Sequence, residues 1–346
     1  MSGADDLGDR FGTLRENPRR LTVGVVGVLL LAAVPFSTTA YVTEVMFTGL
    51  VFVMLGVSWN LLAGYAGQVS LGHAAFFGIG AFVSAWLTTP TRAGLPAAIQ
   101  SPVLLALVGG AIAAALLALV TGPIMFRLTG HYFAIGTLAL AAVIQLLLLD
   151  QRQFSGGSTG YYIKGSLGDT AMYLIALVVT IGMVVACYRI VNSRYGLGMR
   201  AVHGDADAAS SLGVNPLKYK MYAFVASSFM AGLTGALYAQ YTLYINPEST
   251  LDVVWMIDTL VVVILGGMGT LLGPIFGAAL FLGLDTGLRA IAGEFATTVE
   301  GILIILFIVF LPDGLYGYVH EHLLSGDDAD AETDADADAD ADADGS

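Results

Sequence analysis

Ten apolar runs, each of about membrane-spanning length, follow one another along the chain at residues 21–37, 45–64, 68–89, 103–126, 131–149, 170–190, 221–241, 252–267, 270–289 and 296–312. A bilayer's hydrocarbon core, about 30 Å thick, takes about 20 helical residues per crossing, and lipid offers no partner to a free backbone N–H or C=O. Uninterrupted runs of this kind lack the apolar–polar alternation of a barrel strand, so they read as helices. Composition points the same way. The chain is 56% hydrophobic and only 12% charged, with a mean hydropathy of +0.78, whereas soluble domains carry about 25% charged residues. The expected fold class is an all-α polytopic membrane protein with about ten transmembrane helices.

The 346 residues carry a formal net charge of −13, but Asp327 to Asp344 hold ten of the 27 acidic groups, and the rest of the chain sums to −3. That Asp-Ala repeat has no apolar face to bury, so residues 321–346 are expected to form a disordered acidic tail. Three lysines against eleven arginines, with such a tail, suggest a salt-rich cytosol and a halophile's solubility device. The single cysteine, Cys187, excludes an intramolecular disulfide.

Nine of the fourteen basic residues lie either before residue 21 or between Arg189 and Lys220. Short basic loops stay in the cytoplasm, and the six runs between these clusters return the chain to the side it started from. The expected arrangement is therefore a cytoplasmic basic N-terminus over residues 1–20, a transmembrane domain over 21–320 with a cytoplasmic loop at 193–220, and a cytoplasmic tail. Arg10, Arg15, Arg19 and Arg20 precede the first run in signal-peptide order, but no small-x-small cleavage site ends it, so an uncleaved first helix is expected.

Two stretches are unusually glycine-rich. Gly64 to Phe82 sets Gln68, Ser70 and His73 among five glycines, and Ile264 to Phe281 contains Gly266, Gly267, Gly269, Gly273 and Pro274. Transporters break helices at substrate sites, so a pathway or re-entrant role is expected for each cluster as a whole. Close helix packing through small residues is the alternative. At an offset of 200 residues the stretches share three identities in sixteen positions, which does not establish a repeat.

No phosphate loop, H-E-x-x-H or G-x-S-x-G motif is present, so the chain is not expected to be an enzyme or to bind a metal or cofactor of its own. Ionisable residues inside the runs are few, with Asp258 the clearest and Asp252, Asp285 and Glu300 nearer helix ends, which argues against an ion-coupled carrier. In the loop Ser193 to Phe224, Asp205 can cap a short helix of about eight residues running to Leu212. Gly213 can end it, and Asn215-Pro216 can open the next span. Such a knob suits docking into a partner's groove, with an ordinary connecting loop as the alternative.

This segment resembles the coupling loop of ABC importer permeases, with Asp207-Ala208-Ala209 in place of Glu-Ala-Ala, followed by Leu212-Gly213. Its continuation, Phe229 to Ala236, resembles the LivM-type permease of branched-chain amino-acid importers. So do GYAGQVSLGHAAFFGIGAF (64–82), LTGHYFAIGTLAL (128–140), FSGGSTGYY (154–162) and the Gly266 to Phe281 stretch. Ser155 stands where that family has Thr, and Ala141-Ala142 where it often has an acidic residue. The resemblance spans roughly residues 21–320.

It implies a type II ABC importer permease fold in the plasma membrane. The implied partners are a LivH-type permease, two cytoplasmic ATPase subunits that carry the ATP and Mg, and an extracytoplasmic binding protein, with no nucleic acid. Branched-chain amino acids are the implied substrate, and urea or short-chain amides are the alternative. Arg200, Asp205, Asp207, Ala208, Ala209, Leu212 and Gly213 are the candidate ATPase-coupling residues. Asn60, Gln68, Ser70, His73, Tyr132, Thr137, Asp258 and Thr270 are the candidate translocation-path residues.

Overall fold

The computed structural model describes residues 18–302 except 166, 296, 297 and 300. Most of the basic N-terminus, Glu300, most of the tenth apolar run and the acidic tail lie outside the described residues. The other nine runs each form a helix, here labelled with the short helices of the 193–220 loop in chain order. They are α1 (Pro18–Ser37), α2 (Ala40–Asn60), α3 (His73–Thr88), α4 (Val103–Met125), α5 (His131–Asp150) and α6 (Asp169–Val191), then α7 (Arg194–Gly204) and α8 (Ala206–Ser211), then α9 (Pro216–Thr242), α10 (Val253–Gly266) and α11 (Gly273–Ala292). Among the described residues, seven helical segments are long and apolar enough to cross a membrane, with α3 and the apolar part of α1 shorter.

Local chemistry sets the helix boundaries. The Asn215 side chain accepts from Lys218 N at 3.2 Å and Pro216 opens α9, while Asp252 accepts from Val254 N at 3.0 Å and caps α10. Asp285 pairs with Arg289 one turn on, at 2.6 Å.

The core is built on α3, α4 and α9, which approach through small residues. A Cβ on Gly80 would overlap the Gly232 carbonyl, one on Gly235 would overlap that of Phe77, and one on Gly110 would lie 2.5 Å from Gly80 O. Lipid tails are as apolar as leucine, so backbone approach and the dispersion contacts it permits supply the cohesion. Phe76, Phe126 and Phe133 gather round Phe224 at centroid separations of 5.3, 5.4 and 6.2 Å. Outside this trio, α2 packs on α6, α9, α10 and α11.

Contacts between connecting segments sort the bundle into two ends. At one end Trp86 Nε1 donates to Phe154 O at 2.7 Å, Lys164 N to Thr89 Oγ1 at 3.1 Å, and Gln145 Nε2 to Pro247 O at 3.2 Å. A two-residue antiparallel pair also forms there, β1 (Tyr161–Tyr162) with β2 (Tyr244–Ile245). Ser155 is fully buried at this end, its hydroxyl donating to Leu148 O and accepting from Gly157 N, a role that serine and threonine share. The opposite end holds the connections 66–72, 126–130, 192–215 and 267–272. This separation is the alternation that the run count predicts.

Candidate functional site

The glycine clusters do not interrupt single crossings as the sequence suggests. Each forms the turn between two antiparallel helices. After Asn60, α2 winds through a π turn (Leu61–Tyr65), the chain bends at Gly67 with φ +67°, and α3 begins at His73. Likewise α10 stops at Gly266, the chain turns through Gly267 and Gly269 at φ +107° and +81°, and α11 begins at Gly273. The two turns lie close to 200 residues apart in the chain, at the same end of the bundle.

The hairpin tips touch. Asn60 Nδ2 donates to Thr270 O at 2.7 Å, and Asn60 Oδ1 accepts from Gly269 N at 2.8 Å. One carboxamide thus satisfies a donor and an acceptor of a turn 210 residues away, and it does so at 1% exposure. A Cβ on Gly64 would overlap Asn60 Oδ1 and lie 2.7 Å from Gly269 N, so glycine is what lets the tips close. Thr270 Oγ1 donates to Gly267 O at 2.8 Å and accepts from Gly273 N at 3.1 Å, which fixes the second turn from within.

The other candidate path residues fall into three groups. Ser70, His73 and Thr137 are buried beside the first tip. Ser70 Oγ accepts from Gly72 N at 3.2 Å, its carbonyl accepts from Trp59 Nε1 at 2.8 Å, and Thr137 Oγ1 accepts from Leu71 N at 3.0 Å. His73 is 2% exposed and makes no side-chain hydrogen bond among the described residues. Gln68 is half-buried and its amide nitrogen donates to Ala66 O and Gly67 O. Tyr132 is 73% exposed at the start of α5, away from the tips' buried network, and Asp258 is half-buried within α10. The structure therefore brings Asn60, Gln68, Ser70, His73, Thr137 and Thr270 to the paired tips. It does not bring Tyr132 or Asp258 there through any of these hydrogen bonds.

In the 193–220 loop, Asp205 Oδ1 accepts from Asp207 N at 2.9 Å and Ala208 N at 3.0 Å, as its capping role requires. The helix so opened is six residues long, shorter than the eight expected, because its last turn is spent on the stop. There Val214 N donates to Ala209 O and Gly213 N to Ser210 O around Gly213 at φ +85°. Asp207 and Ala208 are exposed and Leu212 is 86% exposed, whereas Ala209 is 4% exposed and faces its own subunit. Arg200 Nη2 donates to Val191 O at 3.2 Å, tying α7 back to the end of α6.

Sequence reasoning misses two groups. Gln240 Nε2 donates to Ser84 Oγ at 2.9 Å and Thr88 Oγ1 at 3.0 Å, a buried polar seam between α9 and α3 that only an isolated glutamine in an apolar run could have signalled. His203, in the last turn of α7, lies against Gly67. An apolar groove of about 610 Å³ runs between α1, α2 and α11, but Thr286 alone among its lining residues has a polar side chain, so it offers little to a charged solute.

Residues 41–311 match the family described as the permease component of branched-chain amino acid transport systems. The chain belongs to that family. This permease component is 27% identical over 323 residues to the high-affinity branched-chain amino acid transport system permease protein LivM of Escherichia coli (strain K12), a match that covers 84% of the chain and 74% of that relative. It is 22% identical over 263 residues to a probable branched-chain amino acid transport permease protein LivM of Methanocaldococcus jannaschii, covering 67% and 76%. A nucleoside ABC transporter permease protein, NupC of Lactococcus lactis subsp. cremoris, is 25% identical over 209 residues, covering 56% and 64%. No solved structure matches. The permease component is a multi-pass, helical membrane protein whose glycine-rich tips and capped knob both lie inside the matched region.

Proposed function

We propose that the chain is one transmembrane subunit of an ATP-driven importer for branched-chain amino acids. Its ten spans adopt the type II importer permease fold in the plasma membrane, with both termini in the cytoplasm. A LivH-type permease completes the pore, two cytoplasmic ATPase subunits hold the ATP and Mg, and an extracytoplasmic binding protein delivers the substrate. The chain itself catalyses nothing and holds no cofactor. The observation that carries this reading is the family match over residues 41–311, joined to a capped, exposed knob at the end of the bundle where the basic loop lies.

In this mechanism ATP closes the ATPase dimer, the dimer grips the exposed face of α8 at Asp207, Ala208 and Leu212, and the spans move between outward and inward access. Arg200, Asp205 and Gly213 hold the knob in shape. The paired tips, with Asn60, Gln68, Ser70, His73, Thr137 and Thr270, border the path and open with it, and Tyr132 and Asp258 belong to the wall. The binding protein sets most of the specificity, so the pore's own affinity is low.

The deciding experiment reconstitutes the five-component transporter in liposomes and follows labelled leucine, isoleucine and valine. ATP-dependent uptake of these, uncompeted by nucleosides, urea or short amides, is the expected result. Uptake of a nucleoside in their place would move the substrate assignment toward that of the Lactococcus relative. Uptake that needs no nucleotide and collapses with an ion gradient would mark a secondary carrier, and binding without flux would mark a receptor.

A further inference from the structure

The last turn of α7 lies directly on the first hairpin tip. A Cβ built on Gly67 would sit 2.6 Å from His203 Cδ2 and 3.0 Å from Cγ, so the imidazole rests against backbone with no side chain between. Gly67 holds φ +67°, a conformation natural to glycine, and that bend presents the backbone to the ring. Only Gly204 and Asp205 separate His203 from the knob helix α8, and Asp205 N donates to Ala201 O at 3.2 Å while its side chain caps α8. The knob and the ring are therefore held together through a single capped junction.

From Gly67 the contacts lead two ways. Gly67 N donates to Ala63 O at 3.2 Å and Gln68 N to Leu62 O at 3.1 Å, which closes the π turn that follows Asn60, and Asn60 holds Gly269 and Thr270 of the second tip. In the other direction Leu71 N donates to Thr137 Oγ1, and α3 begins two residues later.

We propose that His203 is a positioning residue for transport, a strut through which displacement of the α7–α8 knob reaches both hairpin tips. This rests on the permease reading above. His203 is an exposed residue, but where its ring meets the Gly67 backbone no side chain lies between to absorb a displacement. Contiguous packing of this kind is a physical route for coupling, and it requires a coupling measurement to establish it. The strut acts by bulk, so an aromatic ring of another type should serve and a methyl group should not.

The test uses the complete transporter in proteoliposomes, comparing the parent with His203→Ala and His203→Phe for ATPase association, ATP hydrolysis and leucine moved per ATP. His203→Ala is expected to assemble and hydrolyse ATP at the parent's rate while leucine moved per ATP falls ten-fold or more. His203→Phe is expected to keep at least half of the parent's ratio. An unchanged ratio in His203→Ala overturns the proposal. So does an equal defect in both variants, and so does loss of ATPase association in His203→Ala, which would make the residue a docking contact. Leucine uptake by the parent tests the permease reading separately, since the strut is judged only on the variant-to-parent ratio.

Discussion

The knob offers two small changes with opposite expected consequences, because its inner and outer faces are only three residues apart. Leu212 is 86% exposed and Ala209 is 4% exposed. Leu212→Ser removes an apolar side chain that the isolated subunit does not bury, so insertion and thermal stability should stay within about 0.5 kcal/mol of the parent. If an ATPase subunit buries that leucine, docking gains about 1.5–3 kcal/mol from it, and losing it should weaken ATPase affinity roughly 10- to 150-fold. Ala209→Glu instead places a carboxylate where the subunit packs against itself. The resulting loss of several kcal/mol should unseat α8 and lower the melting temperature of the subunit. The assay titrates purified ATPase subunits onto the permease pair in nanodiscs, reading affinity and substrate-stimulated ATP hydrolysis alongside thermal unfolding. Unchanged affinity for Leu212→Ser, with hydrolysis intact, would refute the assignment of this face as the docking surface.

Other substitutions probe the interior and the tail. Asn60→Ala strands Gly269 N–H and Thr270 C=O, so it should lower stability by about 1–3 kcal/mol per unsatisfied group, with Asn60→Asp losing at least as much because it buries a carboxylate whose oxygen faces Thr270 O, as thermal unfolding would show. Gly80→Val should force α3 off α9 and cost at least about 1–3 kcal/mol, whereas Gly182→Ala, with nothing within 4 Å of the new methyl, should be neutral or stabilising by roughly 0.5–1 kcal/mol in the same assay. Cysteine at Ser70 in a Cys187→Ala background should resist a water-soluble thiol reagent at rest, since Ser70 is fully buried, and react faster during turnover. A site inert in every state would assign Ser70 to packing alone. A chain ending at Ser325 should keep its uptake at equal membrane abundance, because at molar salt the repulsion among the tail's ten acids is screened to about 3 Å. A sharp fall would make the tail a regulatory element.

What can be read from the sequence is what local chemistry decides. The run from 103 to 126 becomes a helix at Val103–Met125, and that from 170 to 190 becomes Asp169–Val191, because lipid length and backbone satisfaction leave a helix no alternative. Asp205, Gly213 and the Asn215-Pro216 pair act as their residue types predict, since capping needs only neighbours within a few positions. Tertiary partners are not legible in this way. An asparagine at position 60 signals a polar contact but not that the contact is Gly269 and Thr270. Alanine at 209 suits a surface that meets another molecule and one that meets its own subunit equally well, and only the course of α7 settles which. The glycine clusters are visible in composition, yet a turn between crossings and a break within one need the same residues.

That last ambiguity has a physical source. A tight turn between two buried helices and a broken crossing share one problem, the helix ends whose N–H and C=O groups lose their intrahelical partners away from water. The first tip meets it with side chains of its own neighbourhood: Ser70 accepts from Gly72, Thr137 from Leu71, and Trp59 donates to Ser70 O. The second tip has only Thr270 for this purpose and takes the rest from Asn60 on the first. The dependence is one-sided in these bonds, so disturbing Asn60 strands groups in the second tip while the first retains its own set. Any displacement that separates the tips must break both Asn60 bonds together, since one carboxamide makes them, and a displacement that carries the tips as a pair breaks neither. Motion of α2 with the turn that opens α11 is therefore the less costly course.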